Sequence, residues 1–246
     1  MSYLTTEVSQ QKAARVAGFM YLFALATAIF ASFYVRASLE TGNAAETANN
    51  IMTSESLFRI GLASDLVAFT SVVLLALTLY IVVEQVNRVL ALLALFWWLG
   101  EAFVLAVNTL NDYIVLILLS NADYLSVFEP GQLEAMVQVF ISAHGTGYNI
   151  GLIFFGLGSA IYSYLLFKSN FVPRILAALG IFASLSMLIG TFAILIAPHG
   201  AGMIYQLINP PMALYELAIG LWLLFVGVSV HQQDGRGEKE APAAAR

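Results

Sequence analysis

Two glutamates stand inside apolar stretches of this 246-residue chain. Glu101 interrupts the run 88–112, RVLALLALFWWLGEAFVLAVNTLND, and Glu216 interrupts a second run near the C-terminus. A carboxylate near mid-membrane costs about 2.5–3.5 kcal/mol on insertion scales, so a partner, a proton or water must offset it. Two carboxylates at one depth in a low-dielectric medium cannot both stay charged without help. The chemistry they offer is the sharing of a proton or a cation. The plainer alternative is a protonated acid that hydrogen-bonds between helices.

Other polar residues fall into register with them. Glu101, Asn108 and Asp112 are spaced i, i+7, i+11, within ~20° of one line along a helix. His144, Tyr148, Gly151, Phe155 and Tyr162 form a second stripe, with Asn149 beside Tyr148. Glu216, Gly220, Leu223 and Gly227 form a third, whose glycines permit close helix approach. Asp65 belongs to a further helix. His144 has the chemistry of a metal ligand or a general base, although a histidine bonded to a backbone carbonyl or water is the simpler reading. Asp65, Asn108, Asp112 and Asn149 either extend a hydrophilic path or mark ordinary polarity at helix ends, and for Asp112 the second is simpler.

Several chemistries fall away. His231 falls on the inner side of the topology below and His199 in an outer loop, so a three-histidine zinc site cannot be built. A bis-histidine haem pairing His144 with His199 stays open. Ser184 and Ser186 have no histidine beside them and are poor nucleophiles. No lysine lies inside an apolar run, which excludes a retinal Schiff base. No GxxxxGK[ST], HExxH or GxSxG motif occurs. Cysteine is absent, which removes disulfides, thiolate catalysis and Cys-ligated metals. A net charge of −5 argues against nucleic acid as a partner. The identity of any cofactor or metal is left open by the sequence.

The elements that carry these residues read as membrane spans. Hydrophobic residues make up 60% of the chain and charged ones 10%, against about 25% charged in soluble domains. The expected fold is all-α, a bundle of six transmembrane helices at about 15–36, 57–83, 88–119, 132–167, 174–196 and 211–230. Pro210 and Pro211 suit the first turn of the sixth. The apolar run 16–35 is too long for a signal peptide and reads as an uncleaved first span. Residues 1–14 read as a cytoplasmic segment, 15–230 as the membrane domain, and 231–246 as a disordered cytoplasmic tail. Lys12, Arg15, Arg88, Lys168, Arg174, Arg236, Lys239 and Arg246 fall on the side of the termini, whereas Arg36 and Arg59 alone fall on the other. That asymmetry puts both termini inside, in the cytoplasmic (inner) membrane.

Depth follows from a rise of ~1.5 Å per residue. Glu101 lies roughly 20 Å from the inner boundary and Glu216 roughly 8 Å below the outer one, at similar levels. Asp65, Asn108, Tyr148 and Asn149 fall near the outer boundary, and Asp112 and His144 at or above it. His144 stands roughly 16 Å above Glu101, so one metal site joining it to both glutamates needs a tilt or a kink. The stripes suggest an outward-facing polar cleft, with Glu101 and Glu216 as its floor and His144 and Asp112 at its rim.

Short motifs add a resemblance. Arg15-Val-Ala-Gly with Tyr21-Leu22, Ser54-Glu55-Ser56-Leu57-Phe58-Arg59 and Asn87-Arg88 are three of them. Others are Gly100-Glu101-Ala102, His144 with Gly156-Leu157, Pro173-Arg174, and Glu216-Leu217 with Leu221-Trp222-Leu223-Leu224. In order and spacing, over residues 12–230, the chain resembles a bacterial membrane family known as domain of unknown function 4386. The resemblance implies a multi-pass helical membrane protein and carries no activity with it.

Three functions remain. The first is binding or transport of a cation, a proton or a polar lipid headgroup held by Glu101 and Glu216. The second is a membrane-embedded enzyme on a lipid-like substrate, with a glutamate as acid/base and His144 positioning water. The third is a structural or accessory subunit whose glutamates only fix helix packing. The lipid bilayer is the expected partner in each, and oligomerisation is left open.

Overall fold

The computed structural model describes residues 2–229, with side chains described from Ser9 onward. The tail expected at 231–246 lies outside the described residues. Among the described residues, six helices are long and apolar enough to cross a membrane: Ser9–Leu39, Glu55–Val83, Arg88–Leu118, Pro130–Ser169, Arg174–Ile196 and Pro198–Val226, here spans 1 to 6. In lipid every backbone polar group must find its partner within the protein, which a helix achieves internally.

Local signals set several of the boundaries. The Asn87 side chain accepts a hydrogen bond from the Leu90 N–H at 3.0 Å and so starts span 3. Glu129 and Gln132 form a capping box at the head of span 4, with Pro130 in the first turn. Span 4 ends at Asn170, whose φ of 56° is the left-handed stop of a helix. Its 40 residues measure about 60 Å, twice a ~30 Å hydrocarbon layer, so it projects beyond the membrane. The first helix runs unbroken over Ser2–Ile29.

Span 6 departs from expectation. Its helix Ala201–Leu221 contains Pro210 and Pro211 rather than starting at them. Each proline frees a carbonyl four residues back, at Gln206 and Leu207. Both of those residues are exposed, and the helix continues through the prolines. Ile208, on the buried side, fills the space left by Gly190 of span 5.

The spans pack in chain order, each against the next, and span 6 returns to span 1 to close a ring. Spans 3 and 4 meet in one antiparallel register. Asn108 sits on Gly147, Leu105 on Gly151 and Trp98 on Gly158, so each glycine admits a side chain from span 3. Trp98 is buried between Tyr21, Phe155 and Tyr162. The opposite face of span 3 carries Phe96, Phe103, Val107 and Leu110, all exposed. That stripe faces lipid, which turns Glu101, Asn108 and Asp112 inward.

Two details matter for the site. Span 1 is α-helical to Ile29 and then takes one wide π turn, Phe30–Arg36. Span 3 breaks at Thr109, between Arg88–Asn108 and Leu110–Leu118. Beside these, the helix Ala44–Thr53 packs on span 4, and its Ala48 and Ile51 join a separate apolar cluster with Val35, Leu39, Val115 and Ile141.

Candidate functional site

Four spans deliver charged groups to one point, at the end of the bundle away from the described N-terminus. Arg36 comes from the π turn of span 1, Asp65 from span 2, Asp112 from just past the break in span 3, and His144 from span 4. Arg36 Nη2 donates to Asp65 Oδ2 at 2.8 Å and to Asp112 Oδ2 at 2.6 Å. Its Nη1 reaches Asp112 Oδ1 at 3.3 Å and Glu40 Oε1 at 2.9 Å. A π turn shifts the residues after it around the helix axis, and such turns recur at functional sites. Here the shift carries Arg36 to the inside of the bundle. Glu40 stands just beyond the span. Burial pushes its carboxyl above the usual carboxylate range, and the Arg36 charge opposes that shift.

His144 Nδ1 lies 3.1 Å from Asp112 Oδ2. The contact is close, yet among the described residues Nδ1 has no hydrogen-bond partner. The His144 carbonyl accepts from Asn108 Nδ2 at 2.9 Å, and Asn111 Nδ2 donates to Asn108 Oδ1 at 2.9 Å. Asn149 Oδ1 accepts from the Tyr205 hydroxyl at 2.5 Å, a tie between spans 4 and 6.

These positions correct two sequence expectations. Asp112 is not ordinary polarity at a helix end: it is 0% exposed and ion-paired. Neither Asp112 nor His144, which is 5% exposed, stands at a rim. The apolar cluster formed with Ala44–Thr53 supplies the cover that a depth count along single helices does not contain. Arg36 itself was missed as a site residue. The available signal was its place at the end of an apolar run, at the level computed for Asp65 and Asp112.

The second group lies deeper. Glu101 is 6% exposed, and among the described residues its Oε2 has no hydrogen-bond partner. Glu216 is partly buried and near enough for its charge to act on Glu101. Tyr148 lies within electrostatic reach of Glu101, Glu216 and Asp65. Below them Ser163 Oγ is 3.0 Å from the Tyr215 hydroxyl, and the Tyr162 hydroxyl donates to the Ala76 carbonyl at 2.8 Å. Polar groups thus run from Arg36 to Tyr215 through the inside of an otherwise apolar bundle. The exposed His199 has no part in either group.

A family model described as a domain of unknown function, DUF4386, matches residues 16–227. The chain belongs to the DUF4386 family. No curated protein and no solved structure matches it. The six spans agree with the multi-pass nature of DUF4386. Arg36, Asp65, Glu101, Asp112, His144 and Glu216 all fall within the DUF4386 region.

Proposed function

We propose that this membrane protein binds and passes protons at the Glu101–Glu216 pair, with both termini on the cytoplasmic side. The observation that carries the reading is the Glu101 carboxyl, buried in mid-span with Oε2 unpartnered. An ionised carboxylate held this way is expensive, whereas a proton on one oxygen removes the charge at once. Magnesium or calcium would need about six or more oxygen ligands. Glu216 brings a second carboxyl within electrostatic reach of Glu101, and the Tyr148 hydroxyl lies within reach of both. The eight-to-two bias of basic residues supports the orientation.

The test is proton flux in liposomes containing the purified protein and a pH-sensitive dye. An imposed potassium diffusion potential should acidify or alkalinise the lumen faster than in empty liposomes. Glu101→Gln should return the rate to that of empty liposomes while circular dichroism stays that of the parent. Equal rates for parent and Glu101→Gln, or for parent and empty liposomes, would overturn the proposal.

A further inference from the structure

The charges around Arg36 do not balance. Glu40, Asp65 and Asp112 bring three carboxylates to one guanidinium. Asp65 and Asp112 are more than nine-tenths buried, so counter-ions in bulk solution screen them poorly. His144, equally buried, turns an unpartnered Nδ1 into the same cluster. One ligand atom from each of Asp65, Asp112 and His144 lies within 4.8 Å of the other two. Ligands ~2.0–2.2 Å from a tetrahedral zinc ion stand roughly 3.3–3.6 Å apart, so a modest rotamer adjustment gathers these three around one ion.

We propose that Asp65, Asp112 and His144 bind one divalent transition-metal ion of the zinc class, with Arg36 as the competing partner of the two carboxylates. One imidazole with two carboxylates suits zinc or manganese, whereas magnesium and calcium take oxygen donors. Glu40 or water completes the coordination. The ion brings two positive charges to a cluster that carries two negative charges in excess. The three donors come from three packed spans, so metal binding locks spans 2, 3 and 4 together. Eleven residues of helix, about 16 Å, separate Asp112 from Glu101, so this site stands or falls independently of the proton pair.

The experiment uses the full chain in detergent, stripped with a chelator and titrated calorimetrically with zinc chloride, with magnesium chloride as the comparison. One zinc ion per chain should bind, at least tenfold more tightly than magnesium. His144→Gln leaves every Arg36 ion pair in place, so it should remain folded, and it should weaken zinc at least about tenfold. Asp65→Asn should do the same, and Glu101→Gln should change nothing. Bound cobalt should show a visible absorption band that His144→Gln shifts. Absence of stoichiometric zinc uptake, magnesium binding as tight as zinc, or unchanged zinc affinity in His144→Gln would each overturn the site.

Discussion

Arg36 and Asp112 lie 76 positions apart in the chain and meet edge to edge, Nη2 to Oδ2 at 2.6 Å and Nη1 to Oδ1 at 3.3 Å. The two-pronged geometry is what a planar guanidinium offers a carboxylate and an ammonium does not. The same guanidinium holds Asp65, so spans 1, 2 and 3 are joined through one side chain.

Arg36→Leu leaves two buried carboxylates without their cation, at a cost of about 3–5 kcal/mol. At roughly 2–4 °C per kcal/mol for a chain of this size, the melting temperature in detergent should fall by about 10 °C. Arg36→Lys keeps the charge without the fork and should fall by less. Melting of Arg36→Leu at the parent temperature would show that the pairs do not hold the spans.

Gly18→Ala tests the closing contact of the ring. A Cβ on Gly18 would press on the Leu224 backbone nitrogen and the Gly220 carbonyl, neither of which can rotate away. Overpacking of this kind costs about 1–3 kcal/mol. Gly42→Ala meets nothing within 4 Å and serves as the control. Thermal melts of the two variants should separate clearly, with Gly42→Ala close to the parent.

Glu101→Leu should leave stability unchanged or raise it by up to about 2 kcal/mol, because an unpartnered buried carboxyl gives up no bond when it is replaced by an apolar side chain. Proton flux should vanish in the same variant. A clear loss of stability, read by denaturant or heat, would mean that Glu101 is packing glue.

Tyr162→Phe removes the buried hydrogen bond to the Ala76 carbonyl that ties span 4 to span 2. The loss should be about 0.5–1.5 kcal/mol, with no effect on zinc affinity. A melting curve superimposable on that of the parent would show that the hydroxyl contributes nothing.

The orientation has a direct readout, since the chain has no cysteine of its own. Gln85 and Ser126 are exposed and lie in turns at opposite ends of the bundle. In intact cells a membrane-impermeant maleimide should label Ser126→Cys and spare Gln85→Cys until the membrane is opened. The reverse pattern would invert the topology.

Much of the architecture is legible in the sequence because lipid imposes it. Span 5 begins and ends where its apolar run does, at Arg174 and Ile196. The polar stripe of span 3 and its exposed opposite face follow from helical periodicity alone. The start of span 6 is not legible, because proline suits the first turn of a helix, whereas Pro210 and Pro211 here sit inside one. Nothing in FASFYVR announces a π turn. Counting along each helix brought Asp65, Asn108, Asp112 and His144 to similar levels. Pairing across 29 or 76 positions, and burial under a neighbouring helix, depend on contacts that no single helix encodes.

The ring of spans has a consequence for how the protein is made. Five of its six interfaces join helices that leave the ribosome one after the other, so each newcomer finds its neighbour already waiting in the bilayer. The sixth joins the first helix to the last. Until synthesis is nearly finished, the Gly18 face of span 1 has lipid where span 6 will lie, and a nascent chain cut short before span 6 keeps that open seam.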